Sequence, residues 1–230
     1  MGIEGKHYED IMIKIKYGSW NEVSISLYRQ ISDICSLPIE PLDKNIKLIA
    51  LLSSCPEDDI WDLGMNEVES LFKDIQWVFN FKFNQKWHGK KIKINSKVYD
   101  VCTDLQKFSI SQYVDFQTLW PKIKDSDEAY SQILATFIIP EGKKYNKDYE
   151  LQEVISEIDS HLPITQANSV LYFFLISLAR SIRATEICYT QLMKILQRRA
   201  KTKEEKEQIK SLEKETLKMI NQAQHIIGFL

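Results

Sequence analysis

The run ITQANSVLYFFLISLARSIRATEICYTQLMKILQRR, residues 164–199, contains neither glycine nor proline. Those residues cost a helix interior about 1 and 3 kcal/mol relative to alanine. Their absence over so long a run predicts one continuous helix, opened by a Thr165 cap. From Val170 to Leu178 the run is apolar almost all round, which implies burial by several neighbours. Its later half narrows to a stripe of Ile182, Ile187, Leu192, Ile195 and Leu196, with Arg180, Arg183, Arg198 and Arg199 outside it. The rest of the chain must supply the elements that surround the first half. With 230 residues and 44% hydrophobic content there is enough apolar surface for one domain or two small ones. Only 7 glycines and 6 prolines argue against an all-β design with many tight turns.

Upstream, IMIKIKY (11–17) alternates apolar and polar residues, which predicts a strand. A helix follows, with Ser19 and Glu22 as a capping box and Val23, Leu27, Ile31 and Ile34 at helical spacing. A second helix starts at Pro41 and is nearly apolar from Ile46 to Leu52; a short helix or turn ends at Gly64; the next helix is capped by Asn66 with Glu69 in reply. The pattern then returns to alternation. Ile92 and Ile94 stand against Lys91 and Lys93, Val98 and Val101 flank Tyr99, and Asn95-Ser96 marks a hairpin turn. Further helices are expected from a Ser109 cap with Gln112 at the reciprocal position, and over SDEAYSQILATFII, ending before Pro140. Thr202 and Glu205 open a last helix, whose seam of Ile209, Leu212, Thr216, Met219, Ala223 and Ile226 steps by three and four residues. The class is mainly α (α+β): a multi-helix body, a small antiparallel sheet or hairpin, and a long C-terminal helical hairpin. The expected modules are 1–104, helical with the hairpin; 105–199, a helical core; and 200–230, an amphipathic helix.

No pattern of reactive residues names a reaction, and no enzyme activity, cofactor or metal is expected. Cys35, Cys55, Cys102 and Cys188 lie far apart, without the close pairs that metal or dithiol chemistry needs, and read as reduced core thiols. His7, His88, His161 and His225 are isolated. The acidic groups Glu57-Asp58-Asp59 and Asp125-Ser126-Asp127-Glu128 sit at predicted helix starts, where negative charge suits the helix dipole. The stretch IIPEGKKYNKDYE (138–150) has a lone glycine, Gly142, and a predicted helix before it. A phosphate loop needs several glycines and a strand before it. It reads as a solvated helix-to-helix connection pinned by Tyr145 or Tyr149. The polar N-terminus lacks a signal peptide's apolar core, and no apolar run is long enough to span a bilayer. A net charge of -2 argues against a dedicated nucleic-acid binder but leaves room for a local basic patch.

Such a patch exists. Lys86, Lys90, Lys91, Lys93 and Lys97 fall within residues 86–97, which hold no acid, beside Trp87 and His88. Three roles fit: phosphate contact with Trp87 stacked on a base, lysines guarding a strand edge, or protein docking along that edge. Two further candidate surfaces are apolar. Ile209, Leu212 and Met219 suit contact with another chain, including self-association. Tyr113, Phe116 and Trp120 share a helix face and suit either docking or the core.

Four segments together carry a family likeness: SWNEVSISLYRQI, DKNIKLIALLSSCPEDDIWDLGMNEVESLF, FSISQYVDFQTLW and ILATFIIPEGKKYNKDYELQEV. Over roughly residues 11–196 the chain resembles helical tail- or neck-associated proteins of tailed bacteriophages, especially crAss-like phages of gut Bacteroides-type hosts. It also resembles the tail assembly chaperone type. The resemblance implies a non-enzymatic structural or cargo protein of the virion, at the head-tail junction or tail. Alternatively it implies an assembly chaperone absent from the finished particle, or a protein carried with the genome. The expected location is the virion, with the host cytoplasm during assembly, and the expected partners are other virion or tail proteins.

Overall fold

The computed structural model of the chain describes residues 13–82, 87, 89–102, 104, 107–124, 126–199, 202, 206, 207, 210, 211 and 214. It is mainly helical with one small antiparallel sheet, and it divides into two compact units. The first is Met1–Phe83 with Leu162–Thr165; the second is Asn84–His161 with Gln166–Leu230.

In the first unit α1 (Ile25–Ser36) starts one turn later than the sequence suggests. Ser24, not Ser19, is its cap, accepting from the Leu27 N–H at 3.3 Å. Glu22 instead accepts from the Gly18 N–H at 2.7 Å, closing a turn that buries Trp20 and Val23 ahead of the helix. α2 (Pro41–Ser53) has Pro41 in its first turn, where a missing N–H costs nothing. It ends at Ser54 in the left-handed region, φ 61°. Its run Ile46, Leu48, Ile49 and Leu52 is buried because α1, α3 (Glu57–Trp61) and α4 (Met65–Asp74) all pack against it. α4 is capped two residues earlier than expected, at Gly64 instead of Asn66. The Gly64 N–H donates to the Glu67 carboxylate at 2.9 Å, so Glu67, not the Asn66–Glu69 pair, serves the helix start. A 3-10 turn over Gln76–Phe79 follows.

Residues 13–17 form no strand. Their burial does alternate, with Ile13, Ile15 and Tyr17 half-buried and Lys14 and Lys16 exposed. The Lys16 N–H, however, donates to the Leu52 carbonyl at the end of α2 (3.0 Å), not to another strand. The unit is closed by the returning residues 162–165. Ser24 and Pro163 form an antiparallel bridge, and the Ile164 N–H donates to the Val23 carbonyl at 2.8 Å. Thr165 is therefore not a cap; its hydroxyl meets the Asn21 side-chain oxygen at 2.8 Å.

In the second unit β1 (Lys91–Ile94) and β2 (Lys97–Val101) pair as expected, Ile92 opposite Tyr99 and Lys93 opposite Val98. Asn95 and Ser96 both take positive φ, 43° and 69°, as a two-residue hairpin turn requires. A third strand, β3 (Ile138–Pro140), was not expected: the helix before it, α6 (Asp127–Ala135), stops short of Ile138 and the chain turns to pair with β2. The Cys102 N–H donates to the Phe137 carbonyl at 2.8 Å. A module boundary at residue 104 would therefore cut one sheet from its own third strand.

α5 (Ile110–Leu119) has the predicted capping box. The Ser109 hydroxyl accepts from the Gln112 N–H at 3.2 Å, and the Gln112 side-chain oxygen accepts from the Ser109 N–H at 2.9 Å. α6 packs on α7 (Leu151–His161), with the Ser131 hydroxyl donating to Asp159 at 2.5 Å. α8 (Ile164–Arg199) is the continuous helix its sequence demands. Phe174, fully buried, is the hub: its ring stacks on Phe137 at 4.5 Å and on Phe108 at 5.5 Å, and meets Phe116 edge-on at 5.0 Å. Ile209, Leu212 and Met219 lie outside the described residues.

Candidate interaction surfaces

The hairpin has one buried face, of Ile92, Ile94, Tyr99 and Val101, and one open face that includes Lys91, Lys93 and Val98. β1 is an edge of the sheet, since the strand order is β1-β2-β3. Lysines along its open side oppose pairing with a foreign strand. They do not form a free cationic row. Lys91 is hydrogen-bonded and ion-paired to Glu141, and Lys97 to Glu157 at 3.0 Å. Those bonds, followed by the carboxylate charges, hold both ammonium groups above their ordinary pKa range. Lys93 is exposed and makes no ion pair among the described residues. Trp87 is half-buried. A Cβ on Gly89 would meet its indole at 3.0 Å, so the glycine admits the ring against the backbone. The Trp87 indole N–H is enclosed without a hydrogen-bond partner among the described residues. A ring held in this way is not an open plate for a nucleobase. Lys86 and His88 lie outside the described residues.

The stretch after the sheet is preceded by β3 and not by a helix, which corrects the expected helix-to-helix connection. It still makes no anion cradle, because its N–H groups already have acceptors. Gly142, at φ 70°, donates to the Asp100 carboxylate at 3.1 Å. Lys143 donates to the Pro140 carbonyl at 3.0 Å and Lys144 to Asp148 at 3.0 Å. Tyr145 pins the loop, as expected. It is buried, and its hydroxyl donates to Asp115 of α5 at 2.9 Å. Burial first, then that bond, raises its pKa well above the ordinary phenol value.

An open groove of about 460 Å³ runs along α7, lined by Lys97, Glu153, Ser156, Glu157 and His161. Its charges answer each other across the Lys97–Glu157 pair, which clips the hairpin to α7. The Lys97 hydrogen bond is the main cause holding the Glu157 carboxyl below its ordinary pKa, and burial partly opposes it. A depressed carboxyl stabilises the fold fully above the unfolded value, about 4.3, and loses that contribution as pH falls through the folded value. Lys97, raised, contributes fully below its unfolded value of about 10.4 and loses it as pH rises through the folded one. Wild type should therefore melt slightly above Glu157→Gln across the neutral range, with the two curves converging below about pH 4. Parallel curves of Tm against pH down to strong acid would show that the clip contributes nothing.

The aromatic trio of α5 splits. Phe116 and Trp120 are core side chains, their rings 5.5 Å apart. Tyr113 stays outside and is hydrogen-bonded to Gln117 at 2.6 Å. With it stand two apolar side chains unremarked in the sequence: Ile110 is 85% exposed, Val114 51% and Tyr113 44%. They occupy positions i, i+4 and i+3 of one helix face, so the three side chains are neighbours on it.

Cys35 is exposed and Cys55 and Cys102 are half-buried, so these thiols are not the core groups expected. Burial is the main cause that raises the pKa of Cys35 and Cys102 above the ordinary thiol value. Among the described residues no three His, Cys, Asp or Glu side chains gather as metal ligands, and no helix is long and apolar enough to cross a membrane. No protein family, curated protein or solved structure matches the chain.

Proposed function

We propose that this chain is a non-enzymatic docking protein of a tailed phage. It serves as a structural or cargo component of the virion's neck or tail, or as a chaperone in tail assembly. The phage setting rests on the likeness of the four segments quoted above. The docking mode rests on the outer face of α5. There Ile110, Val114 and Tyr113 face solvent from a helix whose other side is locked into the core through Phe116 and Trp120. A rigid, preorganised apolar face suits an apolar segment of another particle protein, because little conformational freedom is lost on contact.

Quantitative mass spectrometry of purified particles and infected-cell lysate tests the setting. A fixed copy number per particle is expected for a virion component, and presence in lysate alone would assign the chaperone role. Absence from both would remove the phage reading. Ile110→Glu tests the docking mode. Covering an isoleucine is worth about 1.5–3 kcal/mol, so particle incorporation or client binding should fall about tenfold or more. The exposed site should leave Tm unmoved. Undiminished incorporation would place docking elsewhere.

A further inference from the structure

In the first unit, the segment from α3 to the 3-10 turn carries apolar side chains that the core does not use. Met65 is 66% exposed, Phe79 52% and Trp61 51%, and Val68 and Phe72 are half-buried. Met65, Val68 and Phe72 stand at i, i+3 and i+7, one stripe of α4 about 10 Å long. Phe72 extends it to Phe79, whose ring lies 6.1 Å away. α4 is held by the Gly64–Glu67 bond and by packing on α2, so the stripe is preformed. The same segment is acidic. α3 and the turn after it hold Glu57, Asp58, Asp59 and Asp62; α4 adds Glu67, Glu69 and Asp74 against Lys73, the one cation between Pro56 and Asn80. Helix dipoles account for the acids in first turns, and Lys47 answers Glu57. Neither accounts for Asp62, Glu69 and Asp74, which are exposed and make no ion pair among the described residues. Glu69 lies one turn from both Met65 and Phe72, at the border of the stripe.

We infer that this face seats a cationic amphipathic helix of another protein, its apolar side on the stripe from Met65 to Phe79 and its lysines or arginines toward the bordering carboxylates. Two features select that partner. The backbone groups of α4 are bonded within the helix, so the face offers no edge to an extended strand, whereas a helix arrives with its own backbone satisfied. Charge decides the rest. The same face of a second copy would bring acids against acids, and an anionic lipid surface would be repelled as well. The inference rests on neither the phage setting nor the α5 face.

Fluorescence anisotropy on the full chain tests it, with a labelled synthetic helix bearing leucine on one face and lysine on the other. The same peptide with glutamate for lysine is the control. The lysine peptide should bind, and lose affinity about tenfold or more as salt rises from about 0.05 M to about 0.5 M; the glutamate peptide should not bind. Met65→Ser with Trp61→Ser should weaken binding about tenfold with Tm unmoved. Should the Trp61 change disturb α3, Met65→Ser alone should still lower affinity severalfold. Asp62→Asn with Glu69→Gln should flatten the salt dependence. A lysine peptide that does not bind overturns the inference, as does binding that none of these variants moves or that the glutamate peptide matches. Pairing of the chain with itself, seen by light scattering and lost in Met65→Ser, would give the face to a second copy and overturn it too.

Discussion

Phe174→Ala should destabilise the second unit by about 3–5 kcal/mol, the range for truncating a buried aromatic. Domains of this size are typically stable by about 5–15 kcal/mol, so the loss is a large share of the whole. The cost has two parts. Transfer of the ring back to water removes its hydrophobic contribution, and the space left between Phe137, Phe108 and Phe116 is bounded by parts that cannot close in. Phe137 is fixed by strand pairing beside it, since its carbonyl accepts from Cys102. Phe116 is fixed on α5, whose buried Gln112 donates to the Thr136 carbonyl at 2.8 Å. Two stacked rings at 4.5 and 5.5 Å and one edge contact at 5.0 Å are lost together. Hydrogen exchange should show protection falling first in α5 and in the first half of α8. A measured loss below about 1 kcal/mol would mean that the cluster repacks and that Phe174 is not its hub.

What could be read from sequence was what neighbours along the chain decide. The Ser109–Gln112 box involves groups three residues apart, and the Asn95-Ser96 turn and the unbroken run of α8 are equally local. The capping boxes expected at Ser19–Glu22 and Asn66–Glu69 lost to rival bonds equally local, Gly18–Glu22 and Gly64–Glu67, while other errors have non-local causes. Alternation in residues 13–17 gave the right half-buried side chains and the wrong element, because a strand also needs a partner and the Lys16 N–H meets the end of α2. β3 is three residues long, follows a helix directly and pairs with residues 99–101 far upstream, so the periodicity of its own segment cannot show it. The ion pairs of the lysine hairpin are hidden from the sequence for the same reason. Glu141 and Glu157 stand 50 and 60 positions from the lysines they neutralise. The α5 error has another origin. Gln112, a polar residue, lies within the buried arc because its amide oxygen serves Ser109 and its NH₂ serves Thr136. A stripe drawn from aromatic residues alone therefore groups the exposed Tyr113 with the buried Phe116 and Trp120 and passes over Ile110 and Val114.

In the first unit, Trp20→Ala should cost about 3–5 kcal/mol although Trp20 precedes α1 and lies in a turn. Its indole meets Tyr28, Trp77 and Phe81 edge-on at 5.6, 5.2 and 5.0 Å, the geometry that brings ring edges against the faces of neighbouring rings. Its N–H also donates to the Trp77 carbonyl at 3.1 Å, tying the chain ahead of α1 to the 3-10 turn after α4. The loop is ordered because this one side chain makes both kinds of contact. Trp20→Phe separates them. It keeps most of the apolar contact but leaves the Trp77 carbonyl without this donor, a change of about 1 kcal/mol for the bond itself. The alanine variant should therefore lose at least twice what the phenylalanine variant loses, measured by urea denaturation followed through far-ultraviolet circular dichroism. Equal losses would assign the anchoring to the hydrogen bond. A negligible loss in both would mean that the turn is held by the Glu22–Gly18 bond and the Ile164–Val23 contact without help from the aromatic cluster.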